Sequence, residues 1–173
     1  AENPKILWKI GLAIAKLEKL IKGEKKKSPL MNWLIFGRYH KYFSPVRTKH
    51  DFLTRDEAVV DDYINDPNCG FICTTSFYKD LLEGTIKIHE DKAVAKIPKQ
   101  LPIFLFAGDQ DPVGDFGEGV QAVYEQYLEH GLKQLSLKLY KDGRHEMLNE
   151  LNKMEVYTDI LNWLETMLKG EPK

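Results

Sequence analysis

Asp111 and His145 are the two residues of this 173-residue chain whose types and surroundings suit proton-transfer chemistry. Asp111 lies in the run Gly108-Asp109-Gln110-Asp111-Pro112-Val113-Gly114, and His145 in Lys141-Asp142-Gly143-Arg144-His145-Glu146. A carboxylate that accepts the Nδ1 proton of an imidazole holds the ring in one tautomer and turns its other nitrogen toward a nucleophile. Taken singly, neither residue demands that role: Asp-Pro is a common turn opener, and a histidine in a glycine-containing loop is ordinarily a solvated turn residue. Placement raises them together, because each stands just beyond a segment that reads as a β-strand.

Other chemistries find less support. Glu146 and Asn149 complete a His-Glu-x-x-Asn string, but the zinc pattern requires a second histidine where Asn149 stands. Cys69 and Cys73 lack the second ligand pair of a zinc site and are too few for a disulfide framework, so they are expected to be buried reduced thiols. No metal or organic cofactor is implied. The four serines, Ser28, Ser44, Ser76 and Ser136, all lie outside any Gly-x-Ser-x-Gly nucleophile elbow.

The elements that must position the pair follow from periodicity. Leu101 to Ala107 is a continuous apolar run of strand length ending at Gly108, which suits a strand buried on both faces of a parallel sheet. Val120, Val123, Tyr124, Tyr127 and Leu128 recur at helical spacing before the stop at Gly131. Leu135, Leu137 and Leu139 then alternate with polar residues as in a half-buried strand, and Val156, Ile160, Trp163, Leu164 and Met167 mark a last helix. Strand, helix, strand, helix implies parallel strands joined by a crossover, with functional groups gathered at their carboxyl ends. Two strands are marginal alone, so another segment or a partner is expected to complete the sheet.

Before Ile97 every apolar pattern is helical. Ile6, Ile10, Ala13, Ile14, Leu17, Leu20 and Ile21 form one stripe from Pro4 to about Ile21, and lysines fill the opposite face. Leu30 to Phe36 reads as a short helix. Thr54 followed three residues later by Glu57 reads as a capping box, opening a helix that Asp66-Pro67-Asn68 stops, and a further helix spans Thr74 to about His89.

Residues 1–50 hold 12 Lys/Arg against 3 Asp/Glu, a net +9, while the remainder is −10. The acidic remainder would repel phosphate, so nucleic acid is not an expected partner. Lysines interrupt the longest apolar stretches, leaving neither a membrane span nor a signal-peptide core, and the chain is expected to be cytoplasmic.

The Gly108–Gly114 run, the Gly143–Glu150 run and the Val156-Tyr157 to Trp163-Leu164 helix closely resemble the end of bacterial lysophospholipase and monoacylglycerol-lipase-like hydrolases of the serine aminopeptidase S33 type. Ser44-Pro45-Val46-Arg47-Thr48 and Asp56 to Tyr63 look like that family's cap. The resemblance implies an α/β chain, the C-terminal part of a doubly wound α/β-hydrolase sheet preceded by a helical cap. On that reading residues 1–97 form the cap segment and 98–173 the core segment.

The same resemblance makes Asp111 the acid and His145 the base of a Ser-His-Asp triad that hydrolyses small-molecule or lipid esters. The nucleophile and oxyanion hole lie outside this chain, so a fragment inactive alone is expected, associating with its missing N-terminal half or with itself. The basic N-terminal helix is either a solvated cap helix or a peripheral membrane contact. Trp33, Phe36, Tyr39, Tyr42 and Phe43 either line an acyl tunnel or pack the cap. Two other functions stay open. One is a related hydrolase with an aspartate nucleophile, of the dehalogenase or epoxide hydrolase kind. The other is a non-enzymatic binding module, in which Asp111 and His145 would lie apart.

Overall fold

Gly11 and Ala15, one turn apart, put little side-chain bulk at the middle of the face through which the first helix packs. The computed structural model describes residues 4–169. Along the chain run α1 (Pro4–Lys22), α2 (Pro29–Phe36), α3 (Glu57–Asn65), α4 (Thr75–Ile88), α5 (Asp91–Val94), β1 (Ile103–Gly108), α6 (Glu118–Glu129), β2 (Leu135–Tyr140) and α7 (Lys153–Leu168). They fall into two units, Ala1–Arg38 with Pro67–Lys96 and Tyr39–Asp66 with Ile97–Lys173. The stretch from Tyr39 to Asp66 therefore groups with the sheet, although it precedes the change of texture near Ile97.

In the first unit Ala15 is buried with Met31, Tyr78 and Leu82, and a Cβ on Gly11 would stand 3.4 Å from Leu82. The inward face of α1 is Trp8, Gly11, Leu12, Ala15 and Glu18, whereas Ile6, Ile10, Leu17, Leu20 and Ile21 are exposed. Of the apolar stripe read from the sequence only Ile14, half-buried, packs against that cluster, and the rest of the stripe faces outward. Glu18 is tolerated inside because Lys22 Nζ stands 2.5 Å from Oε1 and the Ser28 hydroxyl donates to Oε2. Burial pushes the Glu18 carboxyl up, but those donors hold it below the usual carboxylate range. Ser28 also caps α2, its Oγ accepting the Met31 N–H at 3.1 Å, with Pro29 opening the helix. Thr74 caps α4 in the same way, accepting from Phe77 at 3.2 Å. Cys69 and Cys73 are not joined in a disulfide and are half-buried rather than fully enclosed.

In the second unit β1 and β2 pair in parallel, from Ile103 opposite Leu135 to Gly108 opposite Tyr140, with α6 in the connection. Tyr140, Met147 and Val156 form the buried centre with Phe106 and Ile160 against them, and Phe104 stacks on Trp163 of α7 at 5.8 Å. Only the carboxyl end of β1, Ala107 and Gly108, is buried; Ile103 to Phe106 are half-buried, not enclosed on both faces as the apolar run implied. Among the described residues the sheet has two strands, too few to cover both of its faces. The α3 cap also differs from expectation. Asp56, not Thr54, caps the helix by accepting the Ala58 N–H at 3.2 Å, and Thr54 instead donates to the Asn149 carbonyl at 3.0 Å. No helix among the described residues is long and apolar enough to cross a membrane.

The two strand ends meet backbone to backbone. A Cβ on Gly108 would stand 2.0 Å from the Gly143 carbonyl oxygen, and one on Gly143 would stand 2.6 Å from Met147 Sδ and 3.1 Å from Gly108 Cα. Backbone cannot step aside as a flexible side chain does. Gly108→Ala is therefore expected to cost about 3 kcal/mol, the upper end of overpacking penalties. Urea unfolding of the variant checks this, and a stability equal to the parent's would show that the two loops have room to separate.

Candidate active site

β1 hands the chain to Asp111 through a turn that leaves its carboxylate little freedom. The Asp111 N–H donates to the Gly108 carbonyl at 3.3 Å, Oδ1 accepts the Val113 N–H at 2.8 Å, and the Asp111 carbonyl accepts from Phe116 at 2.8 Å. An Asx-type turn of this kind fixes the side chain to its own backbone. Gly114 leaves room beside it, since a Cβ there would stand 3.3 Å from Oδ2. Asp111 is 6% exposed, with Oδ2 directed to His145.

β2 delivers the other partner. The Asp109 N–H donates to the Tyr140 carbonyl at 3.0 Å, its Oδ1 accepts the Asp142 N–H at 2.7 Å, and the Gln110 N–H donates to the Gly143 carbonyl at 2.9 Å. These bonds lock the two post-strand loops together. The segment before α3 then pins the histidine backbone: His145 N–H donates to the Phe52 carbonyl at 3.2 Å and Glu146 N–H to Leu53 at 2.7 Å. The His145 ring lies 6.1 Å from the Phe52 ring, and its Nδ1 stands 3.0 Å from Asp111 Oδ2. The structure thus brings the two sequence-predicted residues together.

The Asp111 hydrogen bond raises the His145 pKa above the ordinary imidazole value, ahead of burial, which pulls it down; the charges of Asp111 and Glu146 add to the rise. With Nδ1–H donating to the carboxylate, Nε2 is left as the proton acceptor. Beside the pair, Phe106, Ala107, Val120, Met147 and Leu148 line a mainly apolar cleft of about 410 Å³.

Sequence reasoning missed the groups that hold the histidine loop. Glu150 is fully buried, yet both oxygens are satisfied: Oε1 accepts from Arg55 N at 2.9 Å and Arg144 N at 3.1 Å, and Oε2 from Arg55 Nε at 2.9 Å and Leu151 N at 2.8 Å. Arg144 lies 4.1 Å from the Phe43 ring centroid and donates to the carbonyls of Asp51 and Thr54, the latter at 3.2 Å. Phe43 is thus a platform for Arg144, Tyr39 packs 5.3 Å from Phe52, and Tyr42 meets Phe116 edge-on at 5.0 Å. Trp33 and Phe36 belong to the other unit. No local signal marked Glu150, because its charged partner, Arg55, lies 95 residues away.

Among the described residues no serine hydroxyl hydrogen-bonds His145. Ser28 is buried at a helix cap, Ser76 lies in α4, Ser136 sits in β2 opposite Phe104, and Ser44 lines a second cleft with Phe43 and Arg144. No group of His, Cys, Asp or Glu among those residues is arranged to hold a metal ion.

Two outcomes follow from this geometry. Glu150→Ala strips a buried acceptor from three backbone N–H groups and a guanidinium, and is expected to lower stability by about 3 kcal/mol in urea unfolding. Because folding raises the His145 pKa, its protonated form favours the folded state. That contribution is full below the unfolded value of about 6.5 and is lost as pH rises through the folded value. An NMR titration of the His145 ring should give a pKa above about 6.5 that drops in Asp111→Asn, where only the Glu146 charge is left to oppose burial. An unchanged value in that variant would dissociate the shift from Asp111.

No curated protein matches the chain by sequence. Among solved structures, a highly thermostable carboxyl esterase from Bacillus coagulans in complex with glycerol matches with a TM-score of 0.81 and 24% identity, over 94% of this chain and 52% of that one. A lipase in an open form matches at 0.79 and 28%, over 91% of this chain and 52% of its own. The monoacylglycerol lipase of Paleococcus ferrophilus matches at 0.55 and 15%, over 89% and 64%. This chain therefore spans about half the length of the first two and shares the α/β-hydrolase fold over that half. The family described as serine aminopeptidase, S33, matches residues 11–152, most of the chain, with Asp111 and His145 both inside the match. The chain accordingly belongs to the serine aminopeptidase S33 family of α/β-hydrolases.

Proposed function

We propose that this chain supplies the acid and the base of a serine hydrolase acting on carboxylic esters, with lysophospholipids or monoacylglycerols as the substrate class. The 3.0 Å approach of His145 Nδ1 to the buried Asp111 carboxylate carries this reading. A binding module has no need of that approach, and it was the expectation that set the two functions apart. The apolar cleft beside His145 suits an acyl chain, and the structural neighbours include a carboxyl esterase, a lipase and a monoacylglycerol lipase.

In this mechanism His145 Nε2 takes the proton of a serine hydroxyl as its oxygen attacks the ester carbonyl. The imidazolium then protonates the departing alcohol as the tetrahedral intermediate collapses. Water, deprotonated by the same nitrogen, attacks the acyl-enzyme and releases the carboxylic acid. Asp111 holds the tautomer throughout and stabilises the imidazolium. The serine and the oxyanion amides belong, on this reading, to polypeptide beyond this chain, which is inactive alone. Residues 1–97 are the lid region, and their Tyr39–Asp66 stretch is the part tied to the histidine loop.

The test is ester hydrolysis by a longer polypeptide that contains this chain. Asp111→Asn is expected to lower kcat by about 10⁴-fold and His145→Ala by about 10⁶-fold, with KM changing little. kcat/KM should rise with pH through an apparent pKa above about 6.5, the free His145 value. Parent-like turnover in His145→Ala would overturn the proposal, as would His145-dependent turnover by the present chain alone.

A further inference from the structure

The helix α1 buries a carboxylate and exposes Leu17, Leu20 and Ile21, an inversion that calls for an occupant of the outer face. Glu18 is 6% exposed, whereas Leu20 is 83% and Ile21 73% exposed. Ile6, Ile10, Leu17, Leu20 and Ile21 recur at helical spacing and make one outward apolar stripe along the helix. Gly11, Ala15 and Glu18 occupy the inner face against α2 and α4, so the stripe cannot turn inward without undoing that packing.

The charges around the stripe limit what it fits. Lys9 and Lys16 lie along α1 beside it, and exposed Lys25, Lys26 and Lys27 follow the helix after Gly23 and Glu24. Among the described residues Lys9, Lys25, Lys26 and Lys27 form no ion pair, and residues 1–50 carry a net +9. Lysine is depleted in the cores of protein interfaces, and a second copy would bring the same excess of positive charge against itself. An exposed apolar stripe with Lys9 beside it, Lys16 shared with Glu83, and exposed Lys25–Lys27 beyond the helix matches an anionic lipid surface, where apolar side chains enter the headgroup boundary and ammonium groups meet phosphates.

We infer that α1, through Ile10, Leu17, Leu20 and Ile21 with Lys9 and Lys25–Lys27, docks this unit on the surface of an anionic bilayer. The contact is peripheral and reversible, because a single interfacial helix is far weaker than an inserted span. It is independent of the ester chemistry proposed above, so either reading can fail without the other.

Flotation of the full chain with phosphatidylcholine vesicles, with and without phosphatidylglycerol, tests the inference without measuring hydrolysis. Binding is expected on the anionic vesicles, weakening with salt, and little on the neutral ones. The triple variant Lys25→Gln, Lys26→Gln, Lys27→Gln should lose roughly fivefold in partitioning per lysine. The double variant Leu17→Ser, Leu20→Ser should lose at least about tenfold while keeping its circular dichroism, since both side chains are exposed. Failure to bind anionic vesicles, or binding untouched by the double variant, would overturn the inference. So would a lipid-free dimer that the double variant dissociates, which makes the stripe a self-interface. Binding that vanishes in a longer polypeptide containing this chain would make the stripe an internal packing face and overturn the inference as well.

Discussion

The absence of side chains at Gly108 and Gly143 is the constraint on which the site depends. Backbone lies against backbone at the carboxyl ends of the two strands, and a Cβ on Gly108 would fall within 2.0 Å of the opposing carbonyl oxygen. Only at that separation does the Gln110 N–H reach Gly143 and the Asp109 carboxylate reach the Asp142 N–H. The loops so joined carry Asp111 and His145, and their 3.0 Å hydrogen bond is a consequence of the close approach upstream of it. The polarised imidazole follows in turn, because a carboxylate at that distance outweighs the burial that opposes charge on the ring.

A second support comes from the segment before α3. Phe52 and Leu53 accept the backbone N–H groups of His145 and Glu146, Thr54 donates to Asn149, and Arg55 enters the buried Glu150 carboxylate. Buried ionic groups are weak contributors to net stability, but their geometry is demanding. Here four donors converge on Glu150, and one of them is the backbone of Arg144, the residue before the histidine. The stretch that a sequence reading assigns to the lid is thereby part of the frame that orients His145.

Much of this was legible in the sequence where the signal is local. The apolar run into Gly108, the alternation into Tyr140 and the loops that follow placed Asp111 and His145 at equivalent strand ends without any structure. What escaped depends on partners distant along the chain. Thr54 looked like a helix cap because Glu57 follows at the right interval, but a carbonyl 95 residues away engages its hydroxyl and leaves the cap to Asp56. The face of α1 was misjudged for a related reason. Periodicity ranks faces by hydrophobicity, and it cannot register that Gly11 and Ala15 allow close helix contact or that Ser28 and Lys22 neutralise a buried Glu18. β1 was expected to be enclosed, yet its amino-terminal residues are half-buried beside a single partner strand.

Whether His145 activates a serine decides the functional reading. Reaction of a longer polypeptide containing this chain with a fluorophosphonate, followed by peptide mass mapping, addresses that most directly. The expected result is one phosphonylated serine outside residues 1–173, labelled at a rate that collapses in His145→Ala. Labelling that proceeds equally well without the His145 imidazole, or its absence from a polypeptide that hydrolyses esters, would contradict the assignment.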